Sequence, residues 1–205
     1  YGYCGNNPIK SLDPNGKKVV IWYKNSKNQD QAFVFTGFHG RKRISYPKNS
    51  FINSFIKAYV YNTGNGGGEK CIAAVNNPKV TINVMDAREE NDGKTEYYNN
   101  GQKEYIVFWN PNGGLMLTNG ARQSPATQLE HEMDHAIDDI TNHSIHRKNH
   151  ETKDDNYDNK EEKRVIEGSE RKTATHNGEG VRNDHCGTTY ETINSTSTIS
   201  KTEEK

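Results

Sequence analysis

Apolar residues in this chain come in short, separated bursts. KVVIWYK (18–24), AFVFT (32–36), KVTINVM (79–85) and EYIVFW (104–109) are dense in β-branched and aromatic residues and read as strands. Phe51 to Tyr61 (FINSFIKAYVY) is apolar at intervals of three and four, which predicts a helix. A second helix is predicted from Pro125 to about Ile140. Ser124 is a favoured N-cap, Pro125 suits the first turn, and Leu129, Met133, Ala136, Ile137 and Ile140 fall on one stripe at ~100° per residue. A third helix runs from about Glu161 to Thr173, with Val165, Ile166 and Ala174 marking its inward face.

The intervening stretches are polar. GNGGG (64–68) is a loop that lacks the Lys-Ser/Thr of a phosphate-binding turn. Asn110 to Gly114 is a turn, and residues 142–160 hold so few apolar anchors that they read as an exposed loop. The first residues, with Asn-Asn-Pro and Asp-Pro-Asn-Gly, are turn formers, and the stretch 191–205 has a disordered composition. Four strands among three helices give an α+β domain with a small mixed sheet.

Composition narrows the function. Hydrophobic residues make up 30% of the 205, which implies one modest core. Lys and Arg number 27 against 27 Asp and Glu, without the basic excess expected of a phosphate-gripping protein, which weighs against a nucleic-acid partner. No apolar run is long enough to span a bilayer, and YGYCGNNPIK lacks the charged-then-apolar pattern of a signal peptide. Cys4, Cys71 and Cys186 are too few for a disulfide scaffold.

The chemistry lies in the second helix, where His131-Glu132-Met133-Asp134-His135 spells HExxH. Chance supplies roughly 0.02 to 0.03 such matches in a chain of this composition. Both histidines lie opposite the apolar stripe, so they are not core-packing residues. Imidazoles at i and i+4 stack one above the other and reach one tetrahedral zinc ion, while Glu132 is placed to act as general base on a water. The third ligand is sought downstream among Glu161, Glu162, Glu167, Glu170, Glu179, Asp184 and His185. Glu162 lies in the middle of the third helix's inward stripe and Glu170 at its edge. Glu170 or Asp139 is otherwise a partner orienting a ligand histidine. His143, His146 and His150 read as solvated, and Cys186 has no marked base to make it a nucleophile.

Two resemblances sharpen this reading. Tyr1 to Gly16 resembles the end of the core of Rhs/YD-repeat polymorphic toxins, which implies a boundary near residue 17 and a toxin domain over 18–190. It further implies secretion as the tip of a larger protein, a shell formed by the parent chain, action in a target cell and a cognate immunity protein. HEMDHA, EEKRVIEG and GEGVRNDH together resemble the HExxH zinc effectors of pathogenic bacteria and, more distantly, clostridial neurotoxin light chains. That resemblance implies a zincin-like endopeptidase with Glu162 as third zinc ligand. It also implies that Arg182 and the residue three positions later stabilise the oxyanion. The family has Tyr at that later position and this chain has His185, which leaves its role open; Tyr190 is the alternative phenol. Glu104–Trp109 is the candidate edge strand for pairing with a peptide substrate, with an interior strand the alternative. The rival functions are a nuclease or deamidase using His176, Glu179 and His185, and a non-catalytic binding tip with a structural metal.

Overall fold

The computed structural model describes residues 19–38, 45–77 and 80–203. Strands β1 (Val19–Lys24), β2 (Asp30–Phe35), β3 (Ile82–Asp86), β4 (Glu96–Asn99) and β5 (Tyr105–Trp109) form one sheet in the order β2-β1-β3-β5-β4. β1–β2 and β4–β5 are antiparallel, whereas β1–β3 and β3–β5 are parallel. Parallel neighbours need a crossover, and α1 (Ser50–Gly64) with α2 (Glu69–Asn76) supplies it between β2 and β3. The fold is α+β with a small mixed sheet. β5 lies inside that sheet, which corrects the expectation of an edge strand at 104–109. The edge next to β5 is β4, a polar segment (EYYN) without a strand pattern of its own; the opposite edge is β2.

The helix predicted at 51–61 is α1, whose first turn is capped by Asn49 Oδ1 accepting from Phe51 N and Ile52 N at 2.9 and 3.1 Å. Its spaced apolar residues do pack inward: Phe55 meets Phe35 edge-on and Trp109 across the core. A four-residue helix, α3 (Ala87–Glu90), precedes β4. The long helix α4 (Pro125–Glu151) starts at Ser124 as predicted, and Leu129, Met133 and Ala136 are fully buried in the same core. Each buried side chain of the Leu or Met class contributes about 1.5–3 kcal/mol. Trp109 Nε1 donates to Pro125 O at 2.8 Å, fixing the end of β5 to the first turn of α4.

Two further expectations are corrected. The polar stretch after Ile140 is not a loop: α4 continues to Glu151 past a non-helical Asn142 (φ −133°, ψ 37°), and only then comes the hairpin β8 (Lys153–Asp154)/β9 (Asp158–Asn159). Its inward contacts are polar, so no apolar stripe announced it. The third helix is interrupted: α5 (Lys160–Val165), a π turn (Ile166–Glu170) with Gly168 off helical geometry, and α6 (Arg171–Asn177).

A second sheet, order β10-β6-β7, joins β6 (Gly113–Leu117), β7 (Arg122–Gln123) and β10 (Gly187–Glu191). Beyond β10 the expected disordered tail is instead ordered through Glu203. Thr192 bridges Ser200, Ser195 O accepts from Ala126 N at 2.9 Å, and Arg122 forks onto Glu203 at 2.7 and 2.8 Å. This order comes from backbone and charged partners that a polar composition does not reveal. Residues 1–17, expected to end an Rhs core, lie outside the described residues, as does Cys4.

Candidate active site

α4 crosses between the large sheet and the α5–α6 segment, so both its faces are covered. His131 and His135 do lie opposite Leu129 and Met133, yet they are only 4% and 5% exposed. The Nε2 atoms are 3.1 Å apart and both face Glu162 of α5. His131 Nε2 lies 3.1 Å from Glu162 Oε2, and His135 Nε2 lies 3.3 Å from Oε1. The Asn159 side chain, accepting from Glu161 N and Glu162 N, caps α5 and fixes where that carboxylate enters. Burial alone would raise the Glu162 carboxyl, but the two imidazoles outweigh it and hold the group far below the usual range. The same contacts work in reverse on His135: burial disfavours its charge, and Glu161 and Glu162 more than offset it, raising its pKa.

Each histidine also has a carboxylate behind it. His131 Nδ1 meets Glu170 Oε2 at 2.7 Å, and His135 Nδ1 meets Glu161 Oε1 at 3.2 Å. The π turn widens the helix between Glu162 and Glu170, so one carboxylate stands before His131 and the other behind it. Arg182, buried, donates from Nε and Nη2 to Glu170 at 2.6 to 3.0 Å. Burial opposes ionisation of Glu170, but Arg182 and His131 hold its pKa down to about 2. Arg164 forks onto Glu161 and reaches Asp134 Oδ1 at 2.8 Å; Asp134 also accepts from Ser169 Oγ.

Glu132 faces the open side, where its Oε2 accepts from the Tyr97 amide of edge strand β4 at 2.7 Å. His185 lies across the same opening, a third exposed, with Nε2 at 3.3 Å from Glu162 Oε2 and Nδ1 on Asp158 Oδ2 at 2.5 Å. A cleft runs over these groups. One arm is lined by Glu96, Tyr97, His146 and His150, and the other by Gly114, Leu115, Arg182 and Thr189.

A model of the Peptidase M91 family, described as effector protein, matches residues 53–203. The chain belongs to that family. The matched span contains all of the side chains just described, and membership makes this M91 chain a peptidase-type effector domain. No curated protein and no solved structure matches it.

The remaining sequence candidates fall elsewhere in this M91 domain. Tyr190 donates to Thr198 O under the Arg122 guanidinium, outside the cleft. Asp139 accepts from Tyr97 Oη, Asn99 and His143, tying β4 to α4 rather than orienting a buried imidazole. Glu167 is exposed and accepts from Tyr157 Oη, Cys186 is an exposed free thiol, and His176 sits against Asn65 O. Glu179 binds Ser124 N and Thr127 Oγ1 at the start of α4. His146, expected in solvent, is buried. Sequence reading missed Glu161, Asp134 and Arg164 as supports, because nothing marks one carboxylate among 27 as inward-facing. The adjacent Glu161-Glu162 pair was the available signal.

Proposed function

We propose that this domain is a zinc-dependent endopeptidase in which His131, His135 and Glu162 hold the ion. The observation that supports this most is the convergence of His131 Nε2, His135 Nε2 and the Glu162 carboxylate. Their separations of 3.1 to 3.3 Å suit the edges of a tetrahedron with metal–ligand bonds of about 2.0–2.1 Å. Glu162 Oε2, buried, has no hydrogen-bond partner. Zinc in such a site supplies Lewis acidity, polarising a peptide carbonyl and lowering the pKa of a water.

The chain's own groups do the rest. Glu132 takes the proton of the attacking water and returns it to the departing amine. Glu170 and Glu161 hold the two imidazoles so that each Nε2 faces inward. Arg182, expected at the oxyanion, is committed to Glu170 and serves to position it and His131. His185 faces the opening and is the donor for the developing oxyanion. An extended substrate adds to the outer edge of β4, where it competes with Glu132 for the Tyr97 amide. The target is a protein in another cell, reached at the tip of an Rhs-type parent with an immunity protein protecting the producer.

The proximity of His185 to Glu162 favours a second reading, in which His185 is a fourth ligand and the ion is structural. Zinc content and substrate cleavage, measured in wild type, Glu132→Gln and His185→Ala, separate the two. The peptidase reading expects one zinc at the HExxH site in all three proteins, with cleavage of target-cell proteins only in wild type or strongly reduced in the variants. Loss of that zinc from His185→Ala, with no wild-type cleavage, would replace it by the structural reading.

A further inference from the structure

His185 reaches the cleft on a support that the hairpin β8/β9 provides. Its amide donates to Asn156 O at 2.9 Å and its Nδ1 meets Asp158 Oδ2, so one turn holds both backbone and ring. The turn is itself anchored. Tyr157, 5% exposed, donates from Oη to Glu167, and Asp154 accepts from Lys163 Nζ and Asn156 N. On the other side of His185, the Asp184 carboxylate accepts from Thr118 Oγ1 and Cys186 N. With Nδ1 turned to Asp158, the ring's Nε2 is turned inward, 3.3 Å from Glu162 Oε2.

On local grounds, aspartate is a poor choice for position 158. Residues 155–157 link the two strands, and Asp158 follows them with φ 65°, in the left-handed region that favours glycine. It also stands directly opposite Asp154 in the hairpin register, where like charges repel. Among the described residues, the ion pair that Asp158 makes is with His185. Local costs of this kind collect at functional positions, where the surrounding structure holds them in place.

We propose that Asp158 is a positioning residue for His185. Its carboxylate accepts from Nδ1–H and fixes the imidazole with Nε2 toward the ion site. Donation from both ring nitrogens makes the ring an imidazolium, to which Asp158 is the counter-charge. The carboxylate stands behind the ring and acts through it. Its consequence for turnover rests on the peptidase reading, in which His185 Nε2–H meets the oxyanion; the orientation of the ring does not.

Asp158→Gly, Asp158→Asn, His185→Ala and the double variant of Asp158→Gly with His185→Ala test this. Glycine removes the acceptor but suits the backbone, so Asp158→Gly should melt near or above the wild-type temperature. Heteronuclear NMR of the zinc-free proteins should show a hydrogen-bonded proton on His185 Nδ1 in wild type and its loss in Asp158→Gly. Cleavage by the zinc-loaded proteins is read as new peptide termini in lysates of a bacterium and of an animal cell. Its rate should fall roughly 10–100-fold in Asp158→Gly and recover in part in Asp158→Asn, which keeps an acceptor oxygen. Adding Asp158→Gly to His185→Ala should leave the residual rate unchanged. The wild-type NMR signal decides even if a variant folds poorly: its absence overturns the proposal. So does a signal that Asp158→Gly leaves intact, or an equal further loss of rate in the double variant. A wild type that shows the Nδ1 bond yet cleaves nothing upholds the positioning and overturns the peptidase reading instead.

Discussion

Arg182 shows how little a residue's identity fixes its role. The family resemblance implies an oxyanion donor, but the buried guanidinium donates through Nε and Nη2 to Glu170, which in turn holds His131. Removing it strands a buried carboxylate, a change that typically costs about 3–5 kcal/mol. Arg182→Ala should therefore unfold at lower temperature and also weaken zinc binding by roughly 10–100-fold, as loss of a group supporting a metal ligand does. Competition with a chelator reads this directly. A normal zinc affinity with reduced turnover would return Arg182 to the oxyanion. Glu132→Gln, by contrast, keeps an oxygen for the Tyr97 amide, so its melting temperature should stay near wild type while turnover falls by at least about 10²-fold.

At the scale of elements, the start of α4 depends on a carboxylate from after α6. Glu179 accepts from Ser124 N at 2.9 Å, Thr127 Oγ1 at 2.7 Å and Tyr61 Oη at 3.2 Å. Burial nonetheless outweighs these bonds and raises its pKa. A carboxyl whose folded pKa exceeds its unfolded value favours folding while protonated, and that advantage is lost as pH rises from the ordinary carboxylate value through the raised one. Glu179→Gln keeps the acceptor and removes the charge, so its stability relative to wild type should improve between pH 4 and pH 8. Thermal melts at the two pH values check it; a constant difference would refute it. The elements read correctly from sequence, α1, β1, β2, β3, β5 and the first half of α4, are those with dense or regularly spaced apolar residues. β4, the far half of α4 and the π turn escaped because polar contacts hold them. In the same way His131, Glu132 and His135 are legible as a spaced motif and Glu162 by resemblance, whereas Glu161, Asp138 and His146 meet only in the folded chain.

Across the whole molecule, the stretch that looks least structured closes the fold. Ser195 joins the first turn of α4 through its carbonyl and α1 through Ser195 Oγ on Ser54 O, at 2.9 and 3.1 Å. Truncation after Glu191 should lower the melting temperature by several degrees, as loss of two or three such bonds at about 1 kcal/mol each implies for a chain of this size. Circular dichroism would measure it, and an unchanged melt would restore the disordered reading. The same clasp sets an order of events. Ser195 and Ser54 are 141 positions apart, and contacts between such distant segments form late and slow folding. The N-terminal turn of the HExxH helix gets its last backbone partner only when this segment arrives. A chain that emerges or is threaded from its N-terminus therefore gains this contact to the first turn of α4 only after residue 195 has followed.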